Sequence, residues 1–223
     1  DITKVRLNNK VIYFANPKTG STSVRKMMDK YCDYSLIKHL NNNNMYNEHW
    51  SMNMFNTVFL ILNEETKSNI YLKEYFSFTT IRNPWDRVVS AFKYQKCDKN
   101  GYPFYHFNYD KNTASEYTFN DFLNNINDKN YWCGRGIPNA NYFCFDENNN
   151  QLIKKIYPIE TLTKEMIESD IKKYNGKHYD VSEIPHLNMT KKVDYRIYYT
   201  EQWMIDKVRE VYKKDIELGN YKF

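Results

Sequence analysis

An α/β fold, with a central, mainly parallel sheet flanked by helices, is what this sequence predicts. Two observations carry the prediction. Val11–Ala15 and Phe76–Ile81 are short runs of apolar, aromatic and β-branched residues that suit buried core strands. Each run passes through a tight polar turn into a helix-forming segment, the first half of a βαβ unit. Size and composition agree. At 223 residues the chain is long enough for one domain with a full core, and 41% hydrophobic against 26% charged residues is a globular balance.

The elements are taken in chain order. Val11–Ala15 is bounded by Asn-Asn-Lys before it and Asn-Pro after it, and reads as a strand of a parallel sheet. Ser21–Tyr31 places Val24, Met27, Met28 and Tyr31 on one helical face, with Thr19 or Ser21 as the N-cap. Tyr34–Asn56, centred on four asparagines, reads as an irregular surface insertion. Thr57–Leu62 is a short apolar run of undecided type, and Glu64–Tyr75 reads as a helix led by Asn63. After Phe76–Ile81, Asn83 is a good N-cap, Pro84 suits the first helical position and Asp86 stands where a capping box needs an acid. Lys96–Asn141 is rich in Tyr, Phe, Asn and Gly, with Phe119–Ile126 as its one short helix. Tyr142–Phe145 and Leu152–Ile156 flank Asp146–Asn150 as a hairpin or strand–turn–strand. Thr163 starts a helix that uses Met166, Ile167, Ile171 and Tyr174 and ends at Asn175-Gly176. Thr200 caps a last helix with Ile205, Val208, Tyr212 and Ile216 on one face.

Charge and cysteine usage narrow the classes. A net charge of +5 suits an anionic ligand but is too small to imply nucleic acid, and the lysines are spread instead of blocked into an arm. No run reaches the ~18 apolar residues of a membrane span, and no signal peptide is visible. The sequence opens at Asp1, which leaves two expectations open: a cytoplasmic protein, or a lumenal catalytic domain whose N-terminal anchor has been removed. Cys32, Cys97, Cys133 and Cys144 lack the spacing of a zinc ribbon or a thioredoxin-type motif, so disulfides and free core thiols both remain open.

The turn Pro17-Lys18-Thr19-Gly20-Ser21-Thr22 aims backbone N–H groups and a helix N-terminus at one place, which attracts anions. Its lysine precedes the glycine, the reverse of the Walker A order, so the expected ligand bears phosphate but is not that of a Walker A loop. The second turn, Arg82-Asn83-Pro84-Trp85-Asp86-Arg87, again sets a cation at the mouth of a helix.

Together, Pro17–Thr22 and Arg82–Ser90 resemble the two nucleotide-binding signatures of the sulfotransferases, whose donor is 3′-phosphoadenosine 5′-phosphosulfate. The branch resembled contains Golgi carbohydrate sulfotransferases and their small bacterial and viral relatives. The likeness continues through Pro185–Asn188, Tyr195–Tyr199 and Asp215–Leu218, and so runs from about Val11 to the C-terminus. It implies a single domain, 1–223, of the three-layer P-loop-kinase-like fold, with acceptor-facing insertions near 34–56 and 96–141.

The chemistry fits the resemblance independently. The donor carries a 5′-phosphosulfate and a separate 3′-phosphate, so it needs two anion sites a nucleoside apart. Backbone N–H groups of Thr19, Gly20, Ser21 and Thr22, together with Pro17-Lys18, can hold the 5′ end. The resemblance implies that Lys18 neutralises charge on the bridging oxygen as the S–O bond breaks, and that Arg82 and Ser90 bind the 3′-phosphate. Standing alone, Lys18 would be an exposed loop lysine and Arg82 a partner for Asp86 or another acid. Arg87 is expected to be structural, bonding the Asp86 turn or a neighbouring loop. Asn188–Arg196 is expected to fold over the nucleotide, with Lys191, Lys192 and Tyr195 as contacts. Asn188-Met189-Thr190 is formally a glycosylation sequon, with occupancy disfavoured by its place in that segment. One position departs from the family: relatives often carry an arginine where this chain has Pro158, two residues before Glu160.

Transfer to a hydroxyl needs a base near the acceptor oxygen. In the family that base lies between the two motifs, where this chain offers His39, Glu48 and His49. His49 is favoured because it is nearer the second motif and is followed by Trp50 and an apolar run; Glu48 is the alternative, as base or as the group orienting His49. No metal is implied. Basic charge, abundant aromatic and amide side chains and the branch resembled favour a glycan acceptor, with a peptide tyrosine or a small alcohol still open. A nucleotide kinase or GTPase would need a Walker A loop, which is lacking. A non-catalytic nucleotide- or glycan-binding module would keep both anion sites and lack the base. Oligomeric state is not legible.

Overall fold

In the computed structural model of the protein, the described residues are 3–6, 10–29, 34–35, 74–96, 118–124, 126, 139–140, 144–146, 148–176, 178, 181 and 193–223. Their elements are β1 (Thr3–Arg6), β2 (Val11–Phe14), α1 (Ser21–Asp29), β3 (Tyr34–Ser35), β4 (Phe76–Ile81), α2 (Pro84–Lys96), α3 (Phe119–Asn124), β5 (Lys155–Pro158), α4 (Lys164–Asn175), a 3₁₀ turn (Tyr195–Tyr198), α5 (Gln202–Val211) and α6 (Lys213–Gly219). The chain forms two compact units, one made of Asp1–Ile81 with Phe143–Thr190 and the other of Arg82–Tyr142 with Lys191–Phe223.

The first unit holds the sheet, in the order β3-β1-β2-β4-β5. Strands β2, β4 and β5 run parallel, with Tyr13 opposite Phe78 and Phe78 opposite Lys155. The α/β character expected from the sequence is therefore present. The sheet is mixed, because β1 pairs antiparallel with both β2 and β3. All residues of β2 and β4 are buried. That is why they read as near-continuous apolar runs and not as alternating ones.

One face of these strands carries Val11, Tyr13, Phe76, Phe78 and Tyr157, which cluster with Val24, Met27 and Met28 of α1 and with Ile167 and Ile171 of α4. Helix α4 is bounded as its residues predict. Thr163 Oγ1 accepts the Met166 N–H at 3.4 Å, and Gly176 closes the helix at φ 69°. Ile167 and Ile171, four apart, define its buried stripe. Met166 and Tyr174 fall beside that stripe and are 39% and 40% exposed, so they are not core residues as the period suggested.

The Asp146–Asn150 turn forms, but the second strand of the expected hairpin is displaced. The Asp146 carboxylate accepts the N–H groups of Asn148 and Asn150 at 2.9 and 2.7 Å, which tightens the turn to a single bridge between Phe145 and Gln151. The strand then lies at Lys155–Pro158 instead of Leu152–Ile156, as a parallel neighbour of β4. Cys144 beside this turn is buried, while Cys32, Cys97 and Cys133 lie outside the described residues.

The second unit is helical and aromatic. Trp85, Val88 and Phe92 of α2 pack with Phe122 and Leu123 of α3 and with Met204 and Val208 of α5. Phe92 meets Phe119 and Phe122 at centroid distances of 5.3 and 5.7 Å. The helix expected after Thr200 is two helices, broken at Tyr212 (φ −111°, ψ 29°). Its cap is Glu201 rather than Thr200, whose hydroxyl is turned to the Met204 sulfur at 3.8 Å. Among the described residues no helix is long and apolar enough to cross a membrane. The readings placed on Thr57–Leu62, Glu64–Lys73, Asn188 and most of both insertions lie outside the described residues.

Candidate active site

The first turn is held from below by buried polar groups. β2 ends at Phe14, residues 17–20 form the turn, and α1 opens at Ser21. Asn16 and Thr19 are fully buried. The Asn16 amide donates to the Thr80 carbonyl at 3.1 Å, and the Thr19 hydroxyl donates to the Asn16 carbonyl at 2.8 Å. Between them Lys18 adopts a left-handed backbone (φ 59°), as does Gly20 (φ 75°). Such alternation of backbone hand turns successive N–H groups toward one concavity, a setting for anions. A side chain at position 20 would be strained by that φ, and its Cβ would stand 2.7 Å from Ile159 Cγ1.

Helix α1 begins on the Gly20 carbonyl, which receives the N–H groups of Ser23 and Val24 at 3.0 and 3.2 Å. The cap position is thus Gly20, not Thr19 or Ser21, because the Thr19 hydroxyl is committed to Asn16 and Ser21 is already helical. Pro17, Lys18, Thr19 and Gly20 therefore form the turn, and Ser21 and Thr22 open the helix at the positive end of its dipole. Lys18 is partly exposed there.

The second turn is just as local. Two residues, Arg82 and Asn83, separate the end of β4 from the start of α2. Asn83 Oδ1 accepts the N–H groups of Trp85 (3.1 Å) and Asp86 (3.4 Å), the expected cap. Its amide nitrogen donates to the Lys222 carbonyl at 3.2 Å and to the Tyr195 hydroxyl at 3.4 Å. Both hydrogen-bonding ends of Asn83 are thus engaged. Arg82 sends Nε (3.0 Å) and Nη2 (2.7 Å) to Asp86 Oδ2, so the acid pairing anticipated for this arginine is present, with both side chains about a quarter exposed. Asp86 also lies in the first turn of α2, where a negative charge is favoured. Ser90 is partly buried two turns further along the same helix.

Arg87 is structural, as expected, but with a different partner. Its guanidinium lies 3.4 Å from Asp215 on α6, and neither side chain is exposed. Asp215 Oδ2 also accepts the Ala140 N–H at 2.7 Å. Burial pushes the Asp215 carboxyl up and the Arg87 guanidinium down, and the two charges oppose that by stabilising each other. An acid 128 residues away could not be chosen from spacing.

Two helix starts, one led by Lys18 and one by Arg82, are thus built from backbone N–H groups and cations. The sulfotransferase family model matches residues 3–222. The chain belongs to the sulfotransferase family. No curated protein and no solved structure matches it. This sulfotransferase is accordingly an enzyme of sulfuryl transfer to a hydroxyl acceptor.

Of the site residues expected from the sequence of this sulfotransferase, Pro17–Thr22, Arg82, Ser90 and Tyr195 are described. Tyr195 opens the 3₁₀ turn, where burial pushes its phenol up. His39, Glu48, His49, Lys191 and Lys192 lie outside the described residues. Among the described residues no group of His, Cys, Asp and Glu is placed to hold a metal ion. The residues missed are Tyr13, Asn16 and Thr80. The signal that marks them is a polar group inside a run otherwise apolar enough to be buried, since such a group needs a partner.

Proposed function

We propose that this sulfotransferase moves the sulfuryl group of 3′-phosphoadenosine 5′-phosphosulfate to a carbohydrate hydroxyl. The observation that carries the reading is the turn at Lys18. A cation in a left-handed backbone conformation, set immediately before a helix N-terminus, suits a 5′-phosphosulfate. On this reading the N–H groups of Thr19–Thr22 and the Lys18 ammonium take the 5′ end, and Arg82 with Ser90 takes the 3′-phosphate. Lys191, Lys192 and Tyr195 are proposed to close over the nucleotide.

In the reaction, the acceptor oxygen forms a bond to sulfur while the bond from sulfur to the bridging oxygen breaks. The acceptor proton passes to a base, for which we propose His49, with Glu48 or His39 as alternatives. The leaving group is 3′-phosphoadenosine 5′-phosphate, and Lys18 offsets the charge gathering on its bridging oxygen. Cations and helix dipoles supply the positive charge, so the proposed chemistry uses no metal. The reading also takes the whole chain as one catalytic domain of P-loop-kinase-like architecture. It is supported by the family match across nearly all of the chain and by parallel strands that feed helices. A glycan acceptor is supported by basic charge and by abundant aromatic and amide side chains.

The deciding experiment uses radiolabelled donor with a panel of glycans, peptides and phenols, for wild type and Lys18→Ala. Transfer to a glycan, reduced about 10²–10³-fold in the variant, is expected. Full-rate transfer by Lys18→Ala would refute the mechanism. Labelling of a peptide or a phenol alone would move the acceptor class. Donor binding without any transfer would favour a nucleotide-binding module.

A further inference from the structure

We propose that Thr80, on β4, is a positioning residue for Lys18, acting through a directed chain of buried hydroxyls beneath the turn. The inference rests on the reading that Lys18 meets the transferring group. Tyr13, Asn16, Thr19 and Thr80 are all 0% exposed. The Tyr13 hydroxyl lies 3.1 Å from Thr80 Oγ1, and Thr80 Oγ1 lies 2.9 Å from Thr19 Oγ1.

Proton counting gives this chain one direction. A hydroxyl has a single hydrogen to donate. Thr19 gives its own to the Asn16 carbonyl at 2.8 Å, so the hydrogen between Thr19 and Thr80 comes from Thr80. The hydrogen between Thr80 and Tyr13 must then come from Tyr13. The order is Tyr13 to Thr80 to Thr19 to the Asn16 carbonyl, and consecutive bonds of this kind polarise one another in a buried setting.

Thr80 is where the chain grips the turn. Its hydroxyl holds Thr19, and its main-chain carbonyl accepts the Asn16 amide at 3.1 Å. Positions 16 and 19 bracket Pro17 and Lys18. One residue of β4 therefore pins both ends of the segment in which Lys18 takes φ 59°. A lysine holds such a backbone only when its surroundings over-determine it. Thr80 supplies two of the bonds that do so.

The test compares Thr80→Val, Thr80→Ser and Thr80→Ala with wild type. Valine keeps the shape but can neither receive from Tyr13 nor give to Thr19. The expected result for Thr80→Val is a fall in kcat of about 10²-fold, because displacement of a catalytic group by about 1 Å costs that much. KM for the donor changes by less than about threefold, since the helix N–H groups stay in place. Thr80→Ser restores kcat to within about threefold of wild type, which loss of packing alone would not allow. Wild-type kcat in Thr80→Val overturns the proposal, and so does equal damage in the serine and valine variants. If Thr80→Val does not fold, Thr80→Ser and Thr80→Ala differ only by the hydroxyl, and equal kcat in that pair overturns the proposal. A wild type that transfers nothing would refute the donor reading alone. Amide hydrogen exchange at Lys18 and Thr19 then decides the Thr80 chain: faster exchange in Thr80→Val supports it, and unchanged exchange overturns it.

Discussion

Arg87 Nη1 lies 3.4 Å from Asp215 Oδ1, with neither side chain reaching solvent. The pair joins the helix that carries Ser90 to the last helix of the chain, inside one unit. Asp215→Ala would take the facing carboxylate from a buried guanidinium and orphan the Ala140 N–H. A loss of about 3–5 kcal/mol is expected, read from urea unfolding of the variant. Replacing both members, as Arg87→Met with Asp215→Leu, is expected to cost less than Asp215→Ala because no unpaired charge remains. An additive double variant would contradict that account.

Arg82 is expected to read the 3′-phosphate and nothing else of the nucleotide. Calorimetric titration of Arg82→Ala with 3′-phosphoadenosine 5′-phosphate is predicted to show affinity about 10–100-fold weaker, the worth of a hydrogen bond to a charged group. Adenosine 5′-phosphate, which lacks the 3′ group, is predicted to bind wild type and variant alike. Equal losses for the two nucleotides would reassign the arginine.

Gly20→Ala carries two separable penalties. The left-handed backbone costs about 1 kcal/mol for a residue with a Cβ. The 2.7 Å approach to Ile159 Cγ1 adds a steric cost. In an Ile159→Ala background only the backbone part is expected to remain, so thermal unfolding of the four proteins in the cycle is predicted to be non-additive.

The Asp146 turn gives a pH dependence with a definite sign. Hydrogen bonds from the Asn150 side chain and backbone, and then from the Asn148 N–H, hold the Asp146 carboxyl below the ordinary aspartate value. Its folded pKa is depressed, so its contribution is complete above the ordinary value and fades as pH falls through the lower folded one. An NMR titration following the Asn148 and Asn150 amides is expected to show a midpoint below that of a model aspartate peptide, and loss of the turn beneath it. A midpoint at the peptide value would remove these bonds from the account.

Both strand-to-helix turns were legible because short-range backbone chemistry writes them. Pro17 and Gly20 mark one, and Asn83 with Pro84 marks the other, each within a few residues of the element it bounds. Strands β2 and β4 were legible because burial on both faces leaves little polar residue in them. What stayed hidden depends on partners far along the chain. Thr80 meets Thr19 across 61 positions, and Asp215 meets Arg87 across 128. The antiparallel pairing of β1 and the position of β5 were hidden similarly, since four-residue strands carry too little period to announce their neighbours. The break at Tyr212 escaped because a helical period runs through it while its ring is drawn under Arg87, 6.0 Å from the guanidinium.

Pro158 closes β5. Among the described residues β5 is the outermost strand on its side of the sheet. A proline has no N–H for an approaching strand, and the exposed Lys155 at the other end repels a second copy of itself. The margin of the sheet is thereby blunted at both ends within four residues. Copies crowded together during synthesis find no continuous ladder there on which to aggregate.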